Sequence, residues 1–298
     1  MSNRVFYASQ GVKVGSSVVQ GAQSVGIQSN FTLEQAFQLG QLSIYNNAVT
    51  NPEVTVTISK ILDGQDTIYK LATQGGSLVS NEADRVDIIV AVGADTGNSL
   101  VGTQAVKMTG MYLSSVSYTM PVDGFMTEEV TFLGDNKKYT TTAGDLFNGP
   151  TTVTGEALRR QNFASSTVPS EVSGQNITNI TINADLGREA MFKLGQFGPF
   201  HRFTNFPLEV TCEFEVSATG LDTVEVSQNV TCTGGDVPGP QSIVINLCDP
   251  ADGTTAYIFN LGNQNVLSSV NYQGGDTGGG NATITYSYTT YNDLDISG

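Results

Sequence analysis

The chain states much of itself twice, and that duplication limits the folds open to it. FQLGQL at 37–42 returns as FKLGQF at 192–197, with Phe37 and Phe192 155 residues apart. Pro52 and Pro207 keep that spacing, EVT at 53–55 returns as EVT at 209–211 after one inserted residue, and LSSVSY at 113–118 returns as LSSVNY at 267–272. Four blocks in one order at nearly one spacing define a repeat of domain size, far longer than a solenoid rung. With 298 residues the chain can hold two such units, each burying a core. The repeat divides it into 1–149 and 150–298. The Ser-, Thr-, Asn- and Gly-rich stretch 147–179 reads as linker plus an arm opening the second unit, answering to 4–25 in the first. A chain of two like units can fill two equivalent places in a ring, so the duplication speaks first about assembly.

Local patterns predict a mainly β fold with one short helix flanking each unit. In the first unit Thr32 and Gln35 have capping-box spacing, Leu33, Ala36, Phe37 and Leu39 form an apolar stripe, and Gly40 stands where a left-handed cap is wanted. In the second, Asp185 is the cap, Leu186, Ala190, Met191 and Leu194 the stripe, and Gly195 the stop. Each helix would be two to three turns long and would need a sheet to pack on. Behind each comes the clearest strand of its unit. At 53–59, Val54, Val56 and Ile58 alternate with Glu53, Thr55, Thr57 and Ser59; at 208–216, Leu208, Val210, Cys212, Phe214 and Val216 alternate with Glu209, Thr211, Glu213 and Glu215. Further strands are expected at 68–71, 87–92, 107–118, 126–133, 242–248, 256–261, 265–272 and 282–288, with Asp63-Gly64, Asp123-Gly124 and Asp252-Gly253 as turns.

Charge narrows the function. The net charge is −15; residues 1–149 carry 8 Lys/Arg against 13 Asp/Glu, and residues 150–298 carry 5 against 15. Such a surface repels polyphosphate and argues against tight or sequence-reading nucleic-acid binding. No apolar run approaches the roughly 20 residues that span a bilayer, so no membrane partner is expected. The first residues show neither a basic leader nor a cleavage site, which points to a protein made in the cytosol. Cys212, Cys232 and Cys248 have no CxxC spacing and read as free thiols.

No motif for chemistry emerges. His201 sits among aromatic residues in GPFHRFTNFP without a nucleophile nearby in sequence, and reads as part of an aromatic packing loop rather than a general base. Glu128-Glu129 are neighbours that a strand sends to opposite faces, while Glu213 and Glu215 share a polar row. P-loop, GxSxG, HExxH and dinucleotide fingerprints are absent. The five glycines of 273–281 form a loop between two strands, without the helix N-terminus of a phosphate cradle. No enzyme activity, cofactor or metal is expected.

QSVGIQSNFTLEQAFQLGQLSIY at 23–45, KILDGQDTIYKLAT at 60–73 and LSSVSYTMPVDGFMTEEVTFLGDNKKY at 113–139 resemble segments of bacteriophage tail tube proteins. LGREAMFKLGQFGPFHRFTNFPLEVTCEFEV at 186–216 is similar to the second half of a two-domain version of that family. The resemblance implies a β-sandwich or barrel with a flanking helix, six copies of which close a ring around a lumen. Two domains per chain then imply three chains per ring, a trimer with pseudo-sixfold symmetry, and rings stacked into the tube through which DNA is ejected. The implied setting is the virion tail, after synthesis in the host bacterial cytoplasm. Partners would be further copies of the chain and the sheath, baseplate and tail terminator proteins, with DNA passing unbound. On this reading Thr55, Thr57, Glu209, Thr211, Glu213 and Glu215 line the lumen. Tyr45, Phe125, Phe200, His201, Arg202 and Phe203 make ring-stacking or subunit contacts. The competing reading, a β-rich phage adhesin or receptor-binding module, would call for Trp/Tyr clusters or a fibre repeat, and Trp is absent.

Overall fold

Where apolar β-branched and aromatic residues alternate with Thr, Ser and Glu, the chain runs as strands. A computed structural model describes residues 5, 7–75, 77–79, 85–93, 100–149, 154–222, 224–225, 238–275 and 280–298. The first unit contains β1 (Gln10–Val14), β2 (Ser17–Val18), β3 (Ala22–Asn30), β4 (Leu33–Phe37), β5 (Ile44–Val49) and β6 (Glu53–Ile61), then α1 (Ile68–Thr73). It ends with β7 (Arg85–Gly93), β8 (Gly102–Pro121), β9 (Thr127–Gly134) and β10 (Lys137–Thr140). The second contains β11 (Asn176–Asp185), β12 (Glu189–Met191), β13 (His201–Phe203), β14 (Glu209–Ser217), β15 (Val244–Cys248), β16 (Thr255–Asn260), β17 (Val266–Gln273), β18 (Thr283–Tyr291) and β19 (Asp295–Ser297). The fold is mainly β, as expected.

The two halves of the chain share one pairing order. Within a twelve-stranded sheet, antiparallel pairing runs β3-β6-β9-β8 in the first unit and β11-β14-β18-β17 in the second, and β8 pairs directly with β11. Registers match as well. Thr57 lies between Gly26 and Thr131, and Glu213 lies between Thr181 and Ser287. One continuous run of eight strands thus repeats a four-strand unit. The first half of the long β8 leaves this run to pair with β7 and β10, and β7 continues to β1 and β2.

The apolar side of the run is covered by α1 and by the sheet β15-β16-β19. Val56, Ile58, Tyr118, Ile182, Cys212, Phe214, Tyr257 and Phe259 belong to one buried cluster drawn from both units. Burying each large side chain contributes roughly 1.5–3 kcal/mol. Tyr118 meets Phe259 edge-on with ring centroids 4.8 Å apart. The stretch read as linker and arm is part of this core: Leu158 and Val172 are fully buried, and the Leu158 N–H donates to the Leu62 carbonyl at 2.8 Å.

Three local expectations are corrected. Residues 32–40 and 185–195 are not helices; they belong to the hairpins β4–β5 and β12–β13. Gly40 and Gly195 do adopt left-handed conformations, both with φ of 86°, but in hairpin turns rather than helix caps. The reason is burial. Two turns of helix need a surface for their stripe, whereas a hairpin pairs its backbone groups within itself. Conversely, 68–71 is not a strand but the core of α1. Thr67 Oγ1 accepts from the Lys70 N–H, and the Glu128 carboxylate of β9 accepts from the Ile68 and Tyr69 N–H groups at 2.7 and 2.9 Å. A carboxylate sixty residues away satisfies the first turn of that helix. Among the described residues the second unit has no α-helix.

Candidate assembly surfaces

The eight-strand run has one dry face and one wet face, and period two decides which residues go where. Thr55 and Thr57 on β6, and Glu209, Thr211, Glu213 and Glu215 on β14, all stand on the wet face. Glu53, Glu129 and Asp185 join them, among Ser115, Ser117, Thr119, Thr181, Asn183, Thr285 and Ser287. Short polar contacts cross the strands: Ser117 Oγ donates to Asn183 Oδ1 at 2.6 Å, and Ser287 Oγ to Glu213 Oε1 at 3.3 Å. Within the run, where β8 contributes residues 112–121, none of the wet-face positions is Lys or Arg. The surface is a hydrated, anionic sheet.

The two ends of the run are unfinished. Among the described residues, strand β3 pairs only with β6, and β17 only with β18. Their counterparts at the internal β8·β11 joint are completely covered. Tyr118 is 0% exposed, while the equivalent Tyr272 on β17 is 41% exposed. Ile180 and Ile182 are buried on β11, while the equivalent Val25 and Ile27 on β3 are only partly buried. Neither β3 nor β11 was singled out as a strand in the sequence. The signal was present in the alternation of Ile180, Ile182 and Ala184, but the polar composition of 147–179 masked it.

The two hairpins also differ in cover. The base of β12–β13 folds across the joint onto the first unit. Arg202, 3% exposed, donates from Nη2 to Asp135 Oδ1 at 2.5 Å and places Nη1 3.5 Å from Glu53 Oε2. Arg188 Nε donates to the Leu113 carbonyl at 2.6 Å, with its guanidinium over the Tyr112 ring. His201 Nδ1 lies 3.2 Å from Tyr112 Oη, and its ring meets Phe203 edge-on. By contrast every residue of β4 and β5 is exposed, including Tyr45. The tips of both hairpins, Leu39 and Leu42 in one and Leu194 and Phe197 in the other, project into solvent.

No protein-family profile matches the chain, and no curated protein matches it in sequence. Among solved structures, a chain of the anti-feeding prophage tube-terminating cap aligns over 48% of this chain and 94% of its own, at 13% identity and a TM-score of 0.38. A chain of the extended sheath–tube complex of an extracellular contractile injection system aligns over 47% and 94%, at 15% identity and 0.36. A chain of a native gene transfer agent virion aligns over 44% and 95%, at 12% identity and 0.32.

The remaining sequence candidates fall at separate places. Phe125, in the β8–β9 turn, lies under the Arg159 guanidinium at 4.4 Å, and Phe200 is partly exposed on the second hairpin, near Lys193. Cys212 is a free thiol in the core, where burial pushes its pKa up, and Cys248 is free and half-buried. Cys232 and residues 276–279 of the Gly-rich loop lie outside the described residues. Among the described residues, no helix is long and apolar enough to cross a membrane.

Glu128, the inward member of the Glu128-Glu129 pair, is fully buried in the core. Glu128 accepts from Ile68 N–H, Tyr69 N–H and Tyr118 Oη, and Lys60, 1% exposed, bonds Asp63 and the Gln65 and Asp66 carbonyls. Burial pushes the Glu128 carboxyl above its ordinary range, against the pull of those backbone donors. The same burial, with Glu128 beside it, drives the Tyr118 hydroxyl well up. This cluster anchors α1.

Proposed function

We propose that the chain is a structural virion protein, a tail tube subunit whose units 1–149 and 150–298 occupy two equivalent places in a ring of three chains. One observation carries the reading. The edges left open at β17 and β3 are the sequence counterparts of β8 and β11, which already pair within the chain. A second copy meeting the first through β17 and β3 would repeat a contact that the chain makes once internally. Edge strands with no partner are otherwise aggregation templates, and closure removes them.

The internal register sets the expected one. Asn183 faces Ser117 and Ile182 faces Tyr118, so Gln28 of one copy faces Asn271 of the next, and Ile27 faces Tyr272. With the dry face turned to α1 and the β15-β16-β19 layer, the wet anionic face is left for the bore. DNA passing there meets carboxylates and hydroxyls, and no Lys or Arg on the wet face of the run to hold a phosphate. Stacked rings, with sheath, baseplate and tail terminator proteins as neighbours in the tail, complete the reading. The exposed hairpin tips are available for the stacking contact.

Negative-stain microscopy and mass measurement of the purified protein test this. Rings of three chains with sixfold-looking density are expected, stacked or single. Monomers at every concentration, or an assembly in which β17 and β3 of different copies never meet, would overturn it. In assembled particles, Glu213→Gln with Glu215→Gln should leave rings intact and slow DNA ejection.

A further inference from the structure

The duplication offers an internal guide to what covers the bare hairpin. Hairpins β4–β5 and β12–β13 share one pairing pattern, with Glu34 opposite Ala48 as Glu189 is opposite Phe203. The second hairpin is seated on the unit across the β8·β11 joint, at Glu53, Asp135 and Tyr112. Carried through the repeat, that seat becomes Glu209, Tyr291 and Val266 on the second unit. Tyr291 is 56% exposed and Val266 is 44% exposed.

The matching hairpin residues are bare as well. Leu33 stands where Arg188 does and is 60% exposed, and Asn47 stands where Arg202 does. In the intrachain seat, an arginine enters between two carboxylates and another stacks on a tyrosine. In the carried-over seat, the hairpin has exchanged both arginines for Leu33 and Asn47. The surface has exchanged Asp135 for Tyr291 and Tyr112 for Val266. Both sides lose charge together, which keeps them complementary.

We infer that hairpin β4–β5 of each copy docks on the second unit of the adjacent copy, with Leu33 against Val266 and Asn47 against Tyr291 and Glu209. This rests on the ring reading above, since the adjacent copy is the one joined through β17 and β3. It makes the contact between chains largely apolar where the contact within the chain is ionic. Accordingly, salt should leave the hairpin contact between copies intact.

The test is cross-linking in a background with Cys232→Ser and Cys248→Ser, leaving only the buried Cys212. The pair Leu33→Cys with Val266→Cys, and separately Asn47→Cys with Tyr291→Cys, is treated with a short bismaleimide. Products are read on a denaturing gel and, in parallel, by native mass measurement. The expected result for either pair is a ladder of covalent dimer and trimer, undiminished in high salt and absent from each single-cysteine variant. Rings in the native measurement with only unlinked or internally linked chains on the gel would overturn the docking and leave the ring standing. Monomers in both measurements would overturn both. All four substituted side chains are exposed in the chain, so folding is not at stake.

Discussion

Strands β6 and β9 of the first unit and β14 and β18 of the second hold equivalent places, yet one matched pair of buried positions has opposite chemistry. Lys60 lies opposite Glu128 in the first unit, and Val216 lies opposite Ile284 in the second. All four are buried. The difference follows from what packs above. In the first unit, Glu128 takes the leading N–H groups of α1 and Lys60 takes the carbonyls before it. In the second, no helix among the described residues has such groups to satisfy, and an apolar pair fills the space. A buried charge here is a consequence of the helix it anchors. The hairpins teach the same lesson on the surface, since one is covered by its own chain and the other is not.

The comparison breaks hardest at Glu128. Glu128→Ala leaves two backbone donors and a tyrosine hydroxyl short of a partner, and should lower stability by about 3–5 kcal/mol in urea unfolding. Transplanting the second unit's pair, Lys60→Val with Glu128→Ile, should recover only part of that loss, because α1 still lacks its acceptor. Full recovery would mean that the helix does not depend on the carboxylate.

At the open edges, Ile27→Lys should leave the isolated chain folded while weakening ring formation by at least tenfold in mass measurements. The equivalent Ile182→Lys places the charge in a closed joint and should prevent folding. Similar behaviour of the two variants would erase the distinction between finished and unfinished edges. Next in size, Arg202→Ala removes the ion pairs that seat the second hairpin and should destabilise the chain by about 1–3 kcal/mol. Asn47→Ala, in the bare hairpin, should change the isolated chain by less than about 0.5 kcal/mol.

The smallest effect is a pH dependence. Because burial holds the Glu128 carboxyl above its ordinary range, the folded chain binds this proton more tightly than the unfolded chain does. Its contribution to stability therefore falls as pH rises from the unfolded carboxylate range through the raised folded value. Subtracting the thermal stability of Glu128→Gln from that of the parent should give a difference that declines with pH in that window. A rising difference would reverse the assignment.

Much of the fold was legible in residue order. Alternation located β6, β7, β8, β9 and β14 to β18, Asp-Gly pairs located turns, and left-handed Gly64, Gly124 and Gly253 are where those pairs require them. The wet-face row of Thr55, Thr57 and the β14 glutamates was readable from period two alone. The sequence could not show that this row belongs to a continuous run, because the strands that join the two units, β8 and β11, meet only through tertiary pairing.

What the sequence determined by itself is therefore the duplication, the strands long enough for their alternation to outweigh local ambiguity, and the sign of the charge. The tertiary structure alone decided the short segments. Residues 33–37 satisfy a helical pattern and 68–71 a strand pattern, and each adopts the other form. Over five or six residues, intrinsic preferences amount to a few kcal/mol at most. A single carboxylate arriving from β9, or the absence of any surface to cover a helical stripe, is enough to overturn them.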